Sequence, residues 1–260
     1  NPCNMKIINK IAKKHNLFLI EDCCEALGAK YEMKKVGTFG DLSTFSFFAS
    51  HHITTMEGGM LITNNQQLFE IAKSLRTHGW TRNLKNKKAL EKKYSEIDSR
   101  FLFSNLGYNL RPTELQGAFG IHQIKKINKF LKIRATNAEF WKKRLSSYSD
   151  YITFLEDKPN NFNANMLFPI KIVKNDFFTK DDMVNYLQKN GIETRPVMAG
   201  NFVKQPVIKL ISHKVSGSLK NSTDLMKNAF LIGNNQNIDK FMRKYVSEII
   251  IKFLDSKIER

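Results

Sequence analysis

The apolar positions Met5, Ile7, Ile8, Ile11 and Ala12 recur at three- and four-residue steps, so they share one face of a predicted helix that Asn4 is placed to cap. A short unbroken apolar run, Leu17 to Ile20, then ends in Glu21 and Asp22. A run of that length without alternation predicts a strand buried in a parallel sheet. Gly37-Thr38-Phe39-Gly40-Asp41 predicts a turn, residues 42–48 a strand and residues 49–57 a loop. Gly58 and Gly59 lead into a further strand, Met60 to Thr63, and a helix is expected from about Gln66 to Thr77. Helices alternating with buried strands predict an α/β fold with a mainly parallel sheet.

Residues 82–105 are polar and basic with few apolar anchors, which predicts an exposed excursion. A helical pattern restarts at Pro112, a residue suited to a first turn, and runs to about Leu145 with room for a bend. Beyond about residue 150 the rhythm changes. Strands are expected near 166–173 and 192–197, and helices near 180–189 and 237–254, as in a smaller α+β domain. The expected division is 1–135 for the larger domain and 136–260 for the smaller. Asn1-Pro2 enters a helix directly and few strands precede the second domain, so an N-terminal part of the larger domain is expected to be missing.

Composition narrows the function classes. The chain has 260 residues, 42% hydrophobic, enough to bury a substantial core. No apolar run approaches the roughly 18 residues that span a bilayer, so no membrane partner is expected. Cys3, Cys23 and Cys24 form neither a disulfide framework nor a metal-ligand spacing, which predicts a reduced, cytoplasmic setting and no metal. The net charge of +18 invites a nucleic-acid reading, but the lysines scatter over almost every predicted element. No recognition helix, zinc-finger spacing or aromatic RNA-binding motif accompanies them, so no nucleic-acid partner is expected. Anionic small molecules match the charge equally well.

Three segments carry candidate chemistry. Asp22 follows a strand, where open α/β sheets place ligands, although a lone Asp there also reads as a cap or turn residue. Ser46-Phe47-Phe48-Ala49-Ser50-His51-His52 puts hydroxyls and two imidazoles in a loop after the next strand. Adjacent histidines diverge in extended backbone and are poor joint metal ligands, so a general base is the better reading. Glu57-Gly58-Gly59 allows close backbone approach or positive φ, and reads alone as a plain turn.

Taken in order, "IEDCCEALGAKY", "VGTFGDLSTFSFFASHHITTMEGGMLITN" and "LGYNLRPTELQGAFGIHQIKKI" resemble the DegT/DnrJ/EryC1/StrS family of pyridoxal-phosphate (PLP) sugar aminotransferases. "GIETRPVMAGNFVKQP" and "FLIGNNQ" resemble a narrower branch, the 4-keto-6-deoxy-sugar 3-dehydratases. The resemblance covers nearly the whole chain. It implies a fold-type I, aspartate aminotransferase-like three-layer sandwich with a smaller C-terminal domain.

The resemblance also implies roles. Asp22 would meet the pyridine nitrogen of the cofactor and Glu25 would contact the cofactor too. Ser46 resembles a phosphate ligand. Asn109 resembles the residue that reaches the phosphate of a partner subunit's cofactor, which implies a homodimer with a shared active site. Aminotransferases of the family hold PLP covalently on a lysine six residues before the "EGG" glutamate. Here that position is His51. Imidazole makes no stable imine, so PLP or pyridoxamine phosphate (PMP) would be held non-covalently, with His51 as the catalytic base and His52 in a secondary role. No cysteine follows His51, so the [2Fe–2S] cluster of one sub-branch is not expected. The other sub-branch uses L-glutamate as amino donor and acts on GDP-4-keto-6-deoxy-D-mannose on the route to colitose, a dideoxysugar of lipopolysaccharide O-antigens. "RTHGWTR" resembles it, making His78 and Arg82 candidates for substrate or glutamate carboxylates, with Arg195 and Asn201 as further substrate contacts. Solvated charge and exposed turns are the competing readings of these four. For the whole chain, a PLP-dependent sugar aminotransferase using another lysine, an aminotransferase that lost its lysine, and an inactive basic binding protein or truncated relic remain open.

Overall fold

The structure, a computed structural model, describes residues 1–258. Contacts divide it into two compact units. One is Pro2–Asn128 with Pro159–Phe162; the other gathers Asn1, Lys129–Lys158 and the chain from Asn163 onward.

In the first unit, α1 (Met5–Lys14) starts where expected, with the Asn4 side chain accepting the Ile7 N–H at 3.1 Å. Strand β1 (Ile20–Asp22) begins three residues later than the apolar run predicts. Its parallel partner β4 (Leu42–Ser46) pairs only from Ile20↔Leu42 onward. Leu19 is instead held by the loop, its N–H donating to Asp41 Oδ2 at 2.8 Å, and Phe18 stays 79% exposed. Between them lies the small hairpin of β2 (Lys30–Tyr31) and β3 (Lys34–Lys35). Strand β5 (Gly59–Ile62) runs antiparallel to β4, giving the order β1-β4-β5 with the parallel pairing at β1–β4.

Helix α2 (Gln66–Arg76) follows, capped by Asn65. Within the expected excursion, α3 (Lys87–Lys93) has no buried residue, yet the chain returns to bury Leu102. The long helical pattern resolves into α4 (Glu114–Ile124) and α5 (Ile127–Arg144), broken at Lys125 and Lys126. A Thr113–Gln116 capping box opens α4.

The second unit is built on an antiparallel sheet of order β6-β7-β9-β8, with β6 (Ile152–Thr153), β7 (Leu167–Ile172), β8 (Thr194–Pro196) and β9 (Ala229–Gly233). Helices α6 (Lys180–Lys189), α7 (Lys220–Asn228) and α8 (Lys240–Ile258) complete it. Its core joins Trp141 of α5 and Leu145 just after it, Phe168 and Ile170 of β7, Met183 and Leu187 of α6, and Ile250 and Phe253 of α8. Alternate residues of β7 face this core, as a half-buried strand requires. Arg134 is buried beside it, and burial pushes its guanidinium down to about 10. It donates to the carbonyls of Met166 and Asn234.

Candidate active site

The parallel pairing of β1 with β4 brings the C-terminal ends of both strands to one edge of the sheet, where α/β sheets bind ligands. Asp22 ends β1, and Ser46 with the loop to Glu57 leaves the end of β4. Asp22 Oδ1 accepts the Cys24 N–H at 3.1 Å and the Thr44 hydroxyl at 3.4 Å. Hydrogen bonding from the Cys24 thiol and backbone, against some desolvation and with help from Thr44, holds the Asp22 carboxyl below the usual carboxylate range. It is therefore ionised at neutral pH. Burial and the neighbouring carboxylates push the Cys23 thiol up to about 12, and Cys24 is raised as well, so neither is a thiolate.

The loop after β4 is fixed by its own backbone. Phe47 donates its N–H to Gly58 O at 2.9 Å and accepts the Thr55 N–H at 2.8 Å. The Thr55 hydroxyl donates to Glu57 O at 2.6 Å. Gly58 has φ 139°, and a Cβ there would stand 2.6 Å from Thr55 Oγ1. Helix α4 clasps the same loop: Gln116 Nε2 donates to Glu57 O at 2.8 Å, and Gln123 Oε1 accepts the Thr54 N–H at 3.4 Å. His51 is half-buried and edge-on to Phe48, at 5.8 Å between ring centroids. Its Nδ1 is buried and has no hydrogen-bond partner. His52 is only 1% exposed, so the two adjacent histidines differ in access.

The other candidates fall as follows. Ser46 Oγ accepts the Phe48 N–H at 3.2 Å, and Glu25 is exposed on the turn after β1. Asn109 bridges Thr77, with its Oδ1 3.4 Å from Arg111 Nε. His78 has φ 59° and donates its backbone N–H to Tyr108 O at 2.8 Å. The Arg82 guanidinium lies over the Trp80 ring at 5.1 Å. These all belong to the first unit. In the second, Arg195 pairs with Glu193 at 3.0 Å. Asn201 is buried, with its amide committed to Val203 N–H and Thr223 Oγ1, so the fold itself uses that side chain. Among the described residues, no group of three or more His, Cys, Asp or Glu is arranged to hold a metal ion.

Sequence reasoning passed over Thr44, Gln116 and Glu21. The T-x-x-Q spacing before α4 is the pattern of a capping box and could have drawn attention to Gln116, but it does not encode the clasp on the His51 loop. Thr44 and Glu21 carried no signal of their own, because their partners are set by strand register.

The donor set fits a pyridoxal cofactor. An ionised, accessible carboxylate matches a protonated ring nitrogen, and an imidazole with an unpartnered buried nitrogen stands on the neighbouring loop. A strand-end carboxylate beside this loop is an arrangement that a PLP-binding fold can use. The chain belongs to the DegT/DnrJ/EryC1/StrS aminotransferase family, whose pattern matches residues 1–250. It is 38% identical over 239 residues to GDP-4-keto-6-deoxy-D-mannose 3-dehydratase of Escherichia coli O55:H7, covering 91% of this chain and 61% of that protein. The E. coli enzyme of that name with bound hydrated PLP superposes with a TM-score of 0.87 at 36% identity, over 96% of this chain and 64% of that one. A structure of GDP-4-keto-6-deoxymannose-3-dehydratase with a trapped PLP–glutamate geminal diamine gives 0.88, also at 36%, over 96% of this chain and 65% of that one. The chain thus spans less than two thirds of the length of these relatives, and over that span it has the fold of PLP-dependent aminotransferases.

Proposed function

We propose that the protein acts as a PLP/PMP-dependent 3-dehydratase of a GDP-linked 4-keto-6-deoxy sugar, with L-glutamate as amino donor. The observation that carries this reading is His51, which stands in the β4 loop where the family's aminotransferases have lysine, inside an otherwise intact loop. The similarity to GDP-4-keto-6-deoxy-D-mannose 3-dehydratase supports the substrate class, and the glutamate-bound relative supports the donor.

Pyridoxal phosphate supplies an electron-withdrawing ring that stabilises negative charge next to its amine-bearing carbon. Asp22, ionised and held by Cys24 and Thr44, keeps the ring nitrogen protonated. His51 takes up a proton and delivers one to the departing 3-hydroxyl at an imidazole nitrogen. It forms no covalent link to the cofactor. Ser46 binds the cofactor phosphate, Asn109 reaches the phosphate of the cofactor in a partner subunit, Glu25 borders the cofactor, and His78 and Arg82 bind substrate or glutamate carboxylate. Arg195 and Asn201 retain a substrate role by resemblance alone. Overall the sugar loses its 3-oxygen, glutamate becomes 2-oxoglutarate, and ammonia is released.

The protein works as a homodimer in this reading. Leu106 is 96% exposed in the single chain, and Tyr108, Leu110 and Leu115 around Asn109 are exposed as well, a surface that a second copy would cover. The free cysteines fit a reducing, cytoplasmic compartment. The reading is tested by borohydride reduction of the PLP-loaded protein followed by peptide mass analysis. No lysine adduct is expected; a PLP–lysine peptide would favour an aminotransferase using another lysine.

A further inference from the structure

Glu21 and Asp22 are adjacent carboxylates on β1, and their side chains face opposite ways. Asp22 is exposed, while Glu21 is 6% exposed. Inside the protein, Glu21 Oε2 accepts the Gly37 N–H at 2.7 Å, and Oε1 accepts those of Phe39 at 2.6 Å and Gly40 at 2.7 Å. Three backbone donors converging on one carboxylate form an anion-holding nest. The nest is rigid. The Ser43 hydroxyl donates to Gly37 O at 2.8 Å. Gly37 has φ 84°, and a Cβ on it would stand 2.5 Å from the Phe45 ring. A Cβ on Gly40 would stand 2.4 Å from Leu19 O. The turn runs directly into β4, so the nest and the strand register Glu21↔Ser43, Asp22↔Thr44 are one arrangement. A slip of one residue would turn Asp22 inward and Glu21 outward. Only the longer carboxylate meets the three donors in the register observed.

We propose that Glu21 is a positioning residue for Asp22. By filling the nest of residues 37–40, it sets the β1–β4 register and holds Asp22 on the face that meets the cofactor's ring nitrogen. This rests on the cofactor reading of the preceding subsection. In Glu21→Gln, the amide oxygen keeps the Phe39 and Gly40 donors while the NH2 group faces the Gly37 N–H.

The test titrates PLP into the wild-type protein, Glu21→Gln, Ser43→Ala and Asp22→Asn. It follows affinity, the pH dependence of the bound cofactor's absorption, and thermal unfolding. Glu21→Gln weakens PLP binding roughly tenfold and shifts the absorption profile toward that of Asp22→Asn. Ser43→Ala, a milder cut into the same turn, moves both in the same direction by less. If both variants unfold at lower temperature but keep wild-type affinity and absorption, Glu21 is a structural residue only and the proposal is overturned. If the wild-type protein binds no PLP, the cofactor reading falls and this inference falls with it.

Discussion

The side-chain amide of Gln116 donates to the backbone carbonyl of Glu57 across 2.8 Å, tying the first turn of α4 to the end of the loop that carries His51. The same side chain closes the capping box with Thr113, its Oε1 accepting the Thr113 N–H at 2.7 Å. Gln116→Ala removes both bonds. It is expected to lower stability by about 1–2 kcal/mol in urea denaturation and to reduce turnover with little change in substrate KM. Unchanged turnover would mean that the clasp does not order His51.

Gly58→Ala tests the loop from within. The new methyl group meets Thr55 Oγ1, and φ 139° is a conformation that alanine adopts only under strain. A loss of about 1–3 kcal/mol is expected, together with a drop in turnover. Retention of full stability and activity would show that the loop accommodates another backbone conformation.

If Asp22 meets the cofactor as proposed, it is expected to set the acid limit of binding. Its folded-state pKa is depressed, chiefly by hydrogen bonding from Cys24. The stabilisation from those bonds is therefore present above the unfolded carboxylate value of about 3.9 and is lost as pH falls through the lower folded value. PLP affinity contributed by Asp22 should persist from neutral pH to about pH 4 and fall below it. In Asp22→Asn the affinity is low at every pH. A wild-type loss centred near pH 6 would assign the acid limit to another group.

Much of this was legible in the chain. The Asn4 cap, the β4 and β5 strands and the change of rhythm after residue 150 follow from periodicity and capping chemistry. His51 stood out because of its spacing from Glu57 within a family-like loop. The run Leu17 to Ile20 misplaced β1, because a strand begins where its partner does, and β4 starts only at Leu42. Which of Glu21 and Asp22 faces inward depends on three backbone N–H groups of a turn some sixteen residues away in sequence, and an alternating strand looks the same either way. Asn201 sits in a family-like string, but its partner Thr223 is a long-range contact that no local pattern encodes.

Arg134 probes the second unit. Its guanidinium supplies the donors for the Met166 and Asn234 carbonyls. Arg134→Leu leaves buried acceptors unpaired and is expected to cost about 2–4 kcal/mol in urea denaturation. A neutral result would mean that these carbonyls find water.

The most direct test of the central claim is mass analysis of the product formed from GDP-4-keto-6-deoxymannose with PLP and L-glutamate, by the wild-type protein and by His51→Asn. A sugar nucleotide lacking one oxygen is expected, with 2-oxoglutarate and ammonia, and all three are lost in His51→Asn. A product in which an amine replaces the keto oxygen would contradict the claim and make the protein a transaminase.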